Sequence, residues 1–227
     1  MPLVGANKSS VISAFLVNFT SRWLRRERCY NTHQVEHTLC RKHKSRMSVM
    51  YTKSERLTMR PVTTSDVDNL FSIYGDPATN TFNPAGPYAD LAHAKTVLAR
   101  WITHWEKHAF GPWAISLREA PEKVIGFGGL SISIYAGITI NNLGYRFSPD
   151  VWGKGLATEF SLCAINYGFD QLKLNEISGI VRRNHLASQK VLSKAGLKYL
   201  REVDDVANAP PSLLFNLTLN EWRSKRL

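Results

Sequence analysis

The chain has 227 residues with 44% hydrophobic and 11% aromatic side chains, values that exclude wholesale disorder and fit one compact domain with or without an appendage. Three cysteines are too few and too odd in number for a disulfide scaffold and point to a reducing, cytoplasmic setting, and no run of eighteen apolar residues suggests a membrane span. The net charge of +11 is uneven: residues 1–50 hold nine Lys/Arg against two acids, so most of the excess lies on the N-terminal quarter rather than on a nucleic-acid-binding domain.

Residues 1–50 show no sustained amphipathic periodicity and read as a basic extension ahead of a domain at 51–227. Three readings fit this composition: a translated segment upstream of a start at Met47 or Met50, a targeting peptide, and a basic interaction arm, with the first preferred. Cys29, His33, His37, Cys40 and His43 have a spacing unlike common structural zinc patterns, so no metal site is expected.

From residue 51 the elements follow in order. Leu57 to Pro61 reads as a strand. Thr64 or Ser65 is placed to cap a helix whose Val67, Leu70, Phe71 and Tyr74 share one face, ended by Gly75 and Pro77. Ala92 to His108 predicts a second helix, with Ala94, Val97, Leu98, Trp101 and Trp105 inward. Trp113, Ile115 and Leu117 alternate as a strand, and Glu119 to Lys123 read as a turn. Val124 to Tyr135 is a strand whose Gly126, Gly128 and Gly129 signal a bulge or a close backbone approach. Ala136-Gly137 turns the chain into a strand from Ile138 to Phe147. A loop from Ser148 to Gly155 opens a helix with Phe160, Cys163, Ala164 and Tyr167 inward. Then come a strand (Glu176 to Val181), a helix (Ala187 to Ala195), and strands at Leu197 to Val203 and around Leu213 to Leu219. This order implies an α/β (α+β) fold, a mixed and mostly antiparallel sheet with helices on its faces.

The informative segment is Trp152-Gly153-Lys154-Gly155-Leu156-Ala157-Thr158-Glu159. Small residues at 153, 155 and 157 let a ligand approach the backbone. The first N–H groups of the following helix, together with its dipole, favour an anion such as a phosphate. A tight turn with no ligand is the bland reading. A P-loop is excluded because Gly-Lys-Ser/Thr is absent, and a dinucleotide fingerprint because Thr158 stands where its third glycine or alanine belongs.

Four blocks in order resemble the GNAT superfamily of N-acetyltransferases, in the branch that includes the ribosomal-protein N-terminal acetyltransferases. They are Ser54 to Pro61, Leu143 to Phe147, Trp152 to Glu159, and Ala187 to Leu197. The resemblance spans about Ser54 to Glu221. It implies a sheet whose fourth strand (138–147) splays from the fifth (176–181), and acetyl-CoA as co-substrate. The pyrophosphate is then held by backbone N–H groups of Trp152, Gly153, Lys154, Gly155, Leu156, Ala157 and Thr158. The pantetheine arm lies along the strand carrying Gly144, Tyr145, Arg146 and Phe147. Asn184, His185 and Ser188 are further cofactor contacts near the last helix.

The resemblance also marks what is missing. The position of a family tyrosine acid holds Leu192, and Asn141-Asn142 stands where relatives carry a glutamate base, so the catalytic residues are left unknown. Ser193, Tyr135 and His104 are polar candidates to assist. His104 and His108 lack the following glutamate of a zinc protease motif. Trp101, Trp105 and Trp113 fit either an acceptor pocket or the core. Cys163 reads as an inert buried thiol. The implied activity is acetyl transfer to a primary amine, a protein N-terminus or a small molecule. The alternative is a non-catalytic CoA-binding protein whose basic arm touches nucleic acid. The implied partners are acetyl-CoA and an amine acceptor; a homodimer is admitted, and neither membrane nor nucleic acid is expected.

Overall fold

The structure, a computed structural model, describes residues 52–225, so the cysteine and histidine cluster of residues 29–43 lies outside the described residues. In chain order the elements are β1 (Thr52–Lys53), β2 (Leu57–Pro61), α1 (Val67–Tyr74), α2 (Leu91–His108), β3 (Pro112–Leu117), β4 (Ala120–Tyr135), β5 (Ile138–Phe147), α3 (Leu156–Asp170), β6 (Glu176–Arg182), α4 (Leu186–Lys194), β7 (Lys198–Val203), β8 (Ser212–Thr218) and α5 (Leu219–Ser224). Short 3-10 turns at Thr64–Asp66, Pro77–Asn80 and Pro149–Val151 join them.

The eight strands form one sheet in the order β1-β2-β3-β4-β5-β6-β8-β7. Every pairing is antiparallel except that of β5 with β6, which is parallel and joins Asn142 to Ser178. Beyond that pair the two strands diverge. This is the splay expected of the fourth and fifth strands, renumbered by the additional strand at Thr52–Lys53.

The pleat of β4 shows how both faces are covered, since successive side chains point to opposite faces. Phe127 packs on Tyr74 of α1 and Trp101 of α2, with ring centroids 6.3 Å and 5.9 Å away. On the other face a Cβ at Gly128 would come within 2.8 Å of the Phe160 ring of α3. The glycine is the condition for that helix to approach, which is the close contact expected here. Trp113 is buried against Phe160 and Tyr167, and Trp105 donates its indole N–H to Pro112 O at 2.6 Å. These two tryptophans belong to the core, while Trp101 is half-buried against Phe127.

Four local expectations are corrected. Instead of a helix capped at Thr64 or Ser65, a 3-10 turn at residues 64–66 capped by Thr63 precedes α1, because the Asp66 carboxylate accepts the Thr63 N–H at 2.7 Å. The turn expected at 119–123 is shorter, since β4 begins at Ala120 with register shifts against β3 that absorb its polar residues. Leu219 leaves the alternating run of β8 and starts α5, whose N-cap Thr218 accepts from Glu221 N. Cys163 is half-buried rather than enclosed.

Arg60 and Asp66 form the ion pair that ties β2 to the start of α1. The carboxylate accepts from both guanidinium nitrogens at 2.8 and 2.6 Å and from the Thr63 N–H and hydroxyl. Burial raises the Asp66 pKa, but these hydrogen bonds and the Arg60 charge outweigh it and hold the group below its ordinary value. Its stabilisation is therefore complete above about pH 4, the ordinary carboxylate pKa, and is lost as pH falls through the lower folded value. Asp66→Asn should cost about 2 kcal/mol and lower the thermal midpoint by about 4–8 °C at pH 7. The gap from wild type should close in acid, which thermal melts across a pH series would check.

Candidate functional site

The glycine segment leaves the end of β5, passes through the Pro149–Val151 turn and enters α3. Gly153 and Gly155 have φ of 75° and 76°, the left-handed region that other residues enter only with strain. A Cβ at Gly153 would meet nothing within 4 Å, so the loop opens outward. The run of amides offered to a ligand is shorter at both ends than expected. Trp152 N–H donates to Pro149 O at 3.1 Å and Thr158 N–H to Gly155 O at 3.1 Å. The N–H groups of Gly153, Lys154, Gly155, Leu156 and Ala157 have no acceptor among the described residues. Five such amides at the positive end of a fifteen-residue helix form an anion cradle. The Trp152 ring is half exposed, and its indole N–H donates to Phe147 O at 2.9 Å, fastening the loop to the last residue of β5.

Sequence reasoning did not assign a role to Glu159, although it was visible in the motif. Its carboxylate takes hydrogen bonds of 2.7 Å each from the Ser54 hydroxyl, the Arg56 N–H and Arg56 Nε. Arg56 also donates to Lys154 O at 3.0 Å. Burial pushes the Glu159 carboxyl up, but the Ser54 and Arg56 bonds together hold it below its ordinary value. An acid in the first helical turn would repel an incoming phosphate. Arg56 neutralises it and braces the loop from behind.

The second part of the site is the opening between β5 and β6. Alternation along β5 divides its residues between two faces. Tyr145 and Phe147 lie against Phe160 of α3, with centroids 6.2 and 6.0 Å away. Tyr145 Oη is 3.0 Å from Ser188 Oγ, joining β5 to α4 across the opening. Burial pushes the Tyr145 phenol up to about 12, with the Ser188 hydrogen bond partly offsetting it, so it remains an O–H. Asn142, Gly144 and Arg146 lie on the opposite face, where the Arg146 guanidinium sits 4.2 Å over the Tyr74 ring. The Asn142 Oδ1 is buried without a partner.

Asn184 is exposed, whereas His185 is the N-cap of α4 and stacks on Phe82 with centroids 4.1 Å apart. Its Nδ1 is buried without a partner, and burial first, then the Arg146 charge, hold its pKa below the ordinary value. Leu192 is buried and offers no proton. Of the three polar candidates, Ser193 lines an open groove of roughly 410 Å³ along α4 with Lys190 and Lys194. Tyr135 packs with Ile140, Val203 and Leu214 at the hairpin end. His104 has both ring nitrogens engaged, one 2.8 Å from Phe110 O and the other accepting Ile132 N–H at 3.1 Å, so it caps the edge of β4 where β3 has ended. Among the described residues no group of three or more His, Cys, Asp or Glu is placed to hold a metal ion, and no helix is long and apolar enough to cross a membrane.

The family model described as an acetyltransferase (GNAT) domain matches residues 56–198. Over 151 residues the chain is 30% identical to the "Uncharacterized N-acetyltransferase p20" of Bacillus licheniformis, covering 65% of this chain and 80% of that one. Among solved structures, the ribosomal-protein-S5-alanine acetyltransferase of Vibrio fischeri is similar with a TM-score of 0.60 at 18% identity, over 76% of this chain and 98% of that one. The aminoglycoside acetyltransferase AAC(6')-Ib in complex with coenzyme A is similar with a TM-score of 0.61 at 15% identity, over 75% and 99%. At these identities the two structures speak for the fold.

Glu159→Ala should release Ser54 and Arg56 from the loop. Because Arg56 is half exposed, the expected cost is about 1 kcal/mol and a fall of about 2–4 °C in the thermal midpoint. Amide hydrogen exchange at Arg56 should quicken, and an unchanged rate would show that the clamp contributes nothing.

Proposed function

Because this chain belongs to the GNAT acetyltransferase family, we propose that it carries the acetyl group of acetyl-CoA to a primary amine, using the cradle and the strand opening just described. The observation that carries this reading is the set of five amides at Gly153 to Ala157 without an acceptor among the described residues, standing at the end of β5, whose pairing with β6 is confined to Asn142. The cradle suits the pyrophosphate of CoA. The pantetheine arm then runs along β5 beyond Asn142, where its amides pair with strand backbone as an added strand would. Residues 51–227 form the catalytic domain in this reading, and residues 1–50 are a basic extension. The sparse cysteines support a cytoplasmic location.

In the transfer, the neutral amine attacks the thioester carbonyl carbon, the carbonyl electrons collect on oxygen, and the C–S bond then breaks. The amine gives up a proton and the departing thiolate takes one. Backbone N–H groups on the open edge of β5 are the donors available to the developing oxyanion. Tyr145, held as O–H against Ser188, is a hydroxyl that β5 itself brings to this opening. With Leu192 where relatives carry an acid and Asn141-Asn142 in the stretch where they carry a base, catalysis rests on positioning an amine that arrives deprotonated.

Two measurements test this. Gly155→Val must either hold the left-handed backbone at a cost of about 1–2 kcal/mol or relax it and turn the amides away. Acetyl-CoA affinity should fall about tenfold or more by calorimetry in a variant that still melts cooperatively. Unchanged affinity would place the pyrophosphate elsewhere.

The pH dependence follows from the groups at the opening. His185 lies below its ordinary value and is neutral from neutral pH upward, and Tyr145 near 12 does not ionise in the working range. Neither contributes an acidic limb above neutrality. The rise of kcat/KM with pH should therefore track deprotonation of the acceptor, moving by about one pH unit for each unit of acceptor pKa. A limb fixed across amines of different basicity would reveal a side-chain base.

A further inference from the structure

Three described arginines are half-buried: Arg60, Arg146 and Arg182. Burying a guanidinium is costly unless a carboxylate or a set of hydrogen bonds compensates it. Arg60 has Asp66 and Arg182 has Asp205. Arg146 has no carboxylate partner among the described residues. Its one hydrogen bond runs from Nη1 to the neutral Asn80 Oδ1 at 2.6 Å, and its flat face lies on Tyr74.

The arrangement is rigid rather than accidental. Asn80 is buried, and its Nδ2 donates to Tyr74 O at 2.7 Å and Asp76 O at 2.8 Å, which fixes its Oδ1 toward Arg146. Tyr74 is held by Trp101 and Phe127. A guanidinium so stacked and held at one corner keeps its other in-plane donors for a second partner. Its charge acts on three neighbours, Tyr74, Tyr88 and His185, and no acid contributes at any of them.

A second observation comes from the same strand face. Asn142 Oδ1 is buried with no hydrogen-bond partner, four residues before Arg146, and Gly144 between them presents no side chain. The acceptor face thus offers an unused hydrogen-bond acceptor at the point where β5 and β6 part, and unused cationic donors further along. An amine is a donor, and a carboxylate complements a guanidinium fork.

We propose that Arg146 is the specificity-determining residue for the acetyl acceptor and that the acceptor is a small amino acid with a free carboxylate. Arg146 binds the carboxylate and so holds the adjacent amine beside the open edge of β5, its nitrogen lone pair toward the thioester. This rests on the acetyl-CoA reading above and narrows its acceptor. A polycationic amine is disfavoured, because Arg146 would repel it and no carboxylate faces Arg146 to offset that repulsion.

The test is thiol release by the full-length chain from acetyl-CoA with matched acceptors: free amino acids, their carboxamides, short peptides beginning with the same residues but amidated at the C-terminus, and a polyamine. The acid should exceed its carboxamide by about tenfold or more in kcat/KM. In Arg146→Gln, checked for folding by thermal melting, that ratio should collapse to within about twofold, and Arg146→Lys should hold an intermediate ratio by keeping charge without the fork. Equal use of the carboxamide, the amidated peptide or the polyamine by the wild-type chain would overturn the proposal, as would a preference for the acid that survives in Arg146→Gln. Acetyl-CoA binding, measured separately, distinguishes the two readings. A chain that does not bind it fails as a transferase and takes this inference with it, whereas binding and turnover indifferent to the carboxylate overturn this inference alone.

Discussion

Parallel pairing between β5 and β6 is confined to Asn142 and Ser178, and the site depends on that restriction. A strand edge carries N–H and C=O groups that must find partners in water, protein or ligand. Inside an eight-stranded sheet such an edge is ordinarily covered by the next strand. Here β5 is zipped to β4 through ten register pairs and abandoned on its other side after Asn142. The fold tolerates the opening because β6 recovers its pairing on β8 and because Tyr145 reaches Ser188 across the gap. What remains is a slot of strand-like backbone, suited to a ligand that is itself amide-bearing and extended.

The cradle at α3 must sit at the mouth of that slot, and two contacts place it. Trp152 fastens the loop to Phe147 in front, and Glu159 fastens the helix to Ser54 and Arg56 behind. Neither contact is strong alone, since an exposed ion pair contributes little. Their effect is geometric. They fix a loop with two left-handed glycines in a conformation it would otherwise share with many others, so less ordering is left for a ligand to impose. The neutralisation of Glu159 by Arg56 matters as much as the position, because the helix end keeps its attraction for anions only if the adjacent acid is cancelled.

Much of this was legible in the sequence, for definite reasons. The glycine motif was readable because open loop amides need glycine at particular positions. The strands and helices were readable because burial on one face imposes a period. The splay was visible only through resemblance: nothing in Glu176 to Val181 states that the strand pairs at one residue and then departs. The Glu159 clamp was missed because its partners lie more than a hundred residues earlier, in a block that was matched by resemblance but whose spacing says nothing of that contact. His104 stood among the polar candidates to assist catalysis, and folding gave both its nitrogens to backbone, which no spacing rule reveals. The last turn of helix at Leu219 was absorbed into an apparent strand because its first leucine falls in phase with the alternation of β8.

The period of two along β5 also divides the chemistry. Tyr145 and Phe147 face α3 and belong with the cradle and its helix, while Asn142, Gly144 and Arg146 face α1 and α2. In the proposed reading a single strand presents its backbone to one substrate and its even-numbered side chains to the other. A one-residue slip in its register would exchange the two sets and bury Arg146 against Phe160. That slip is opposed by the cost of burying a guanidinium against an aromatic ring, and by the loss of the Tyr145 and Phe147 contacts that now fill the α3 face. The same cost fixes which face of β5 packs inward and, in the proposed reading, which side chains are left for the acceptor.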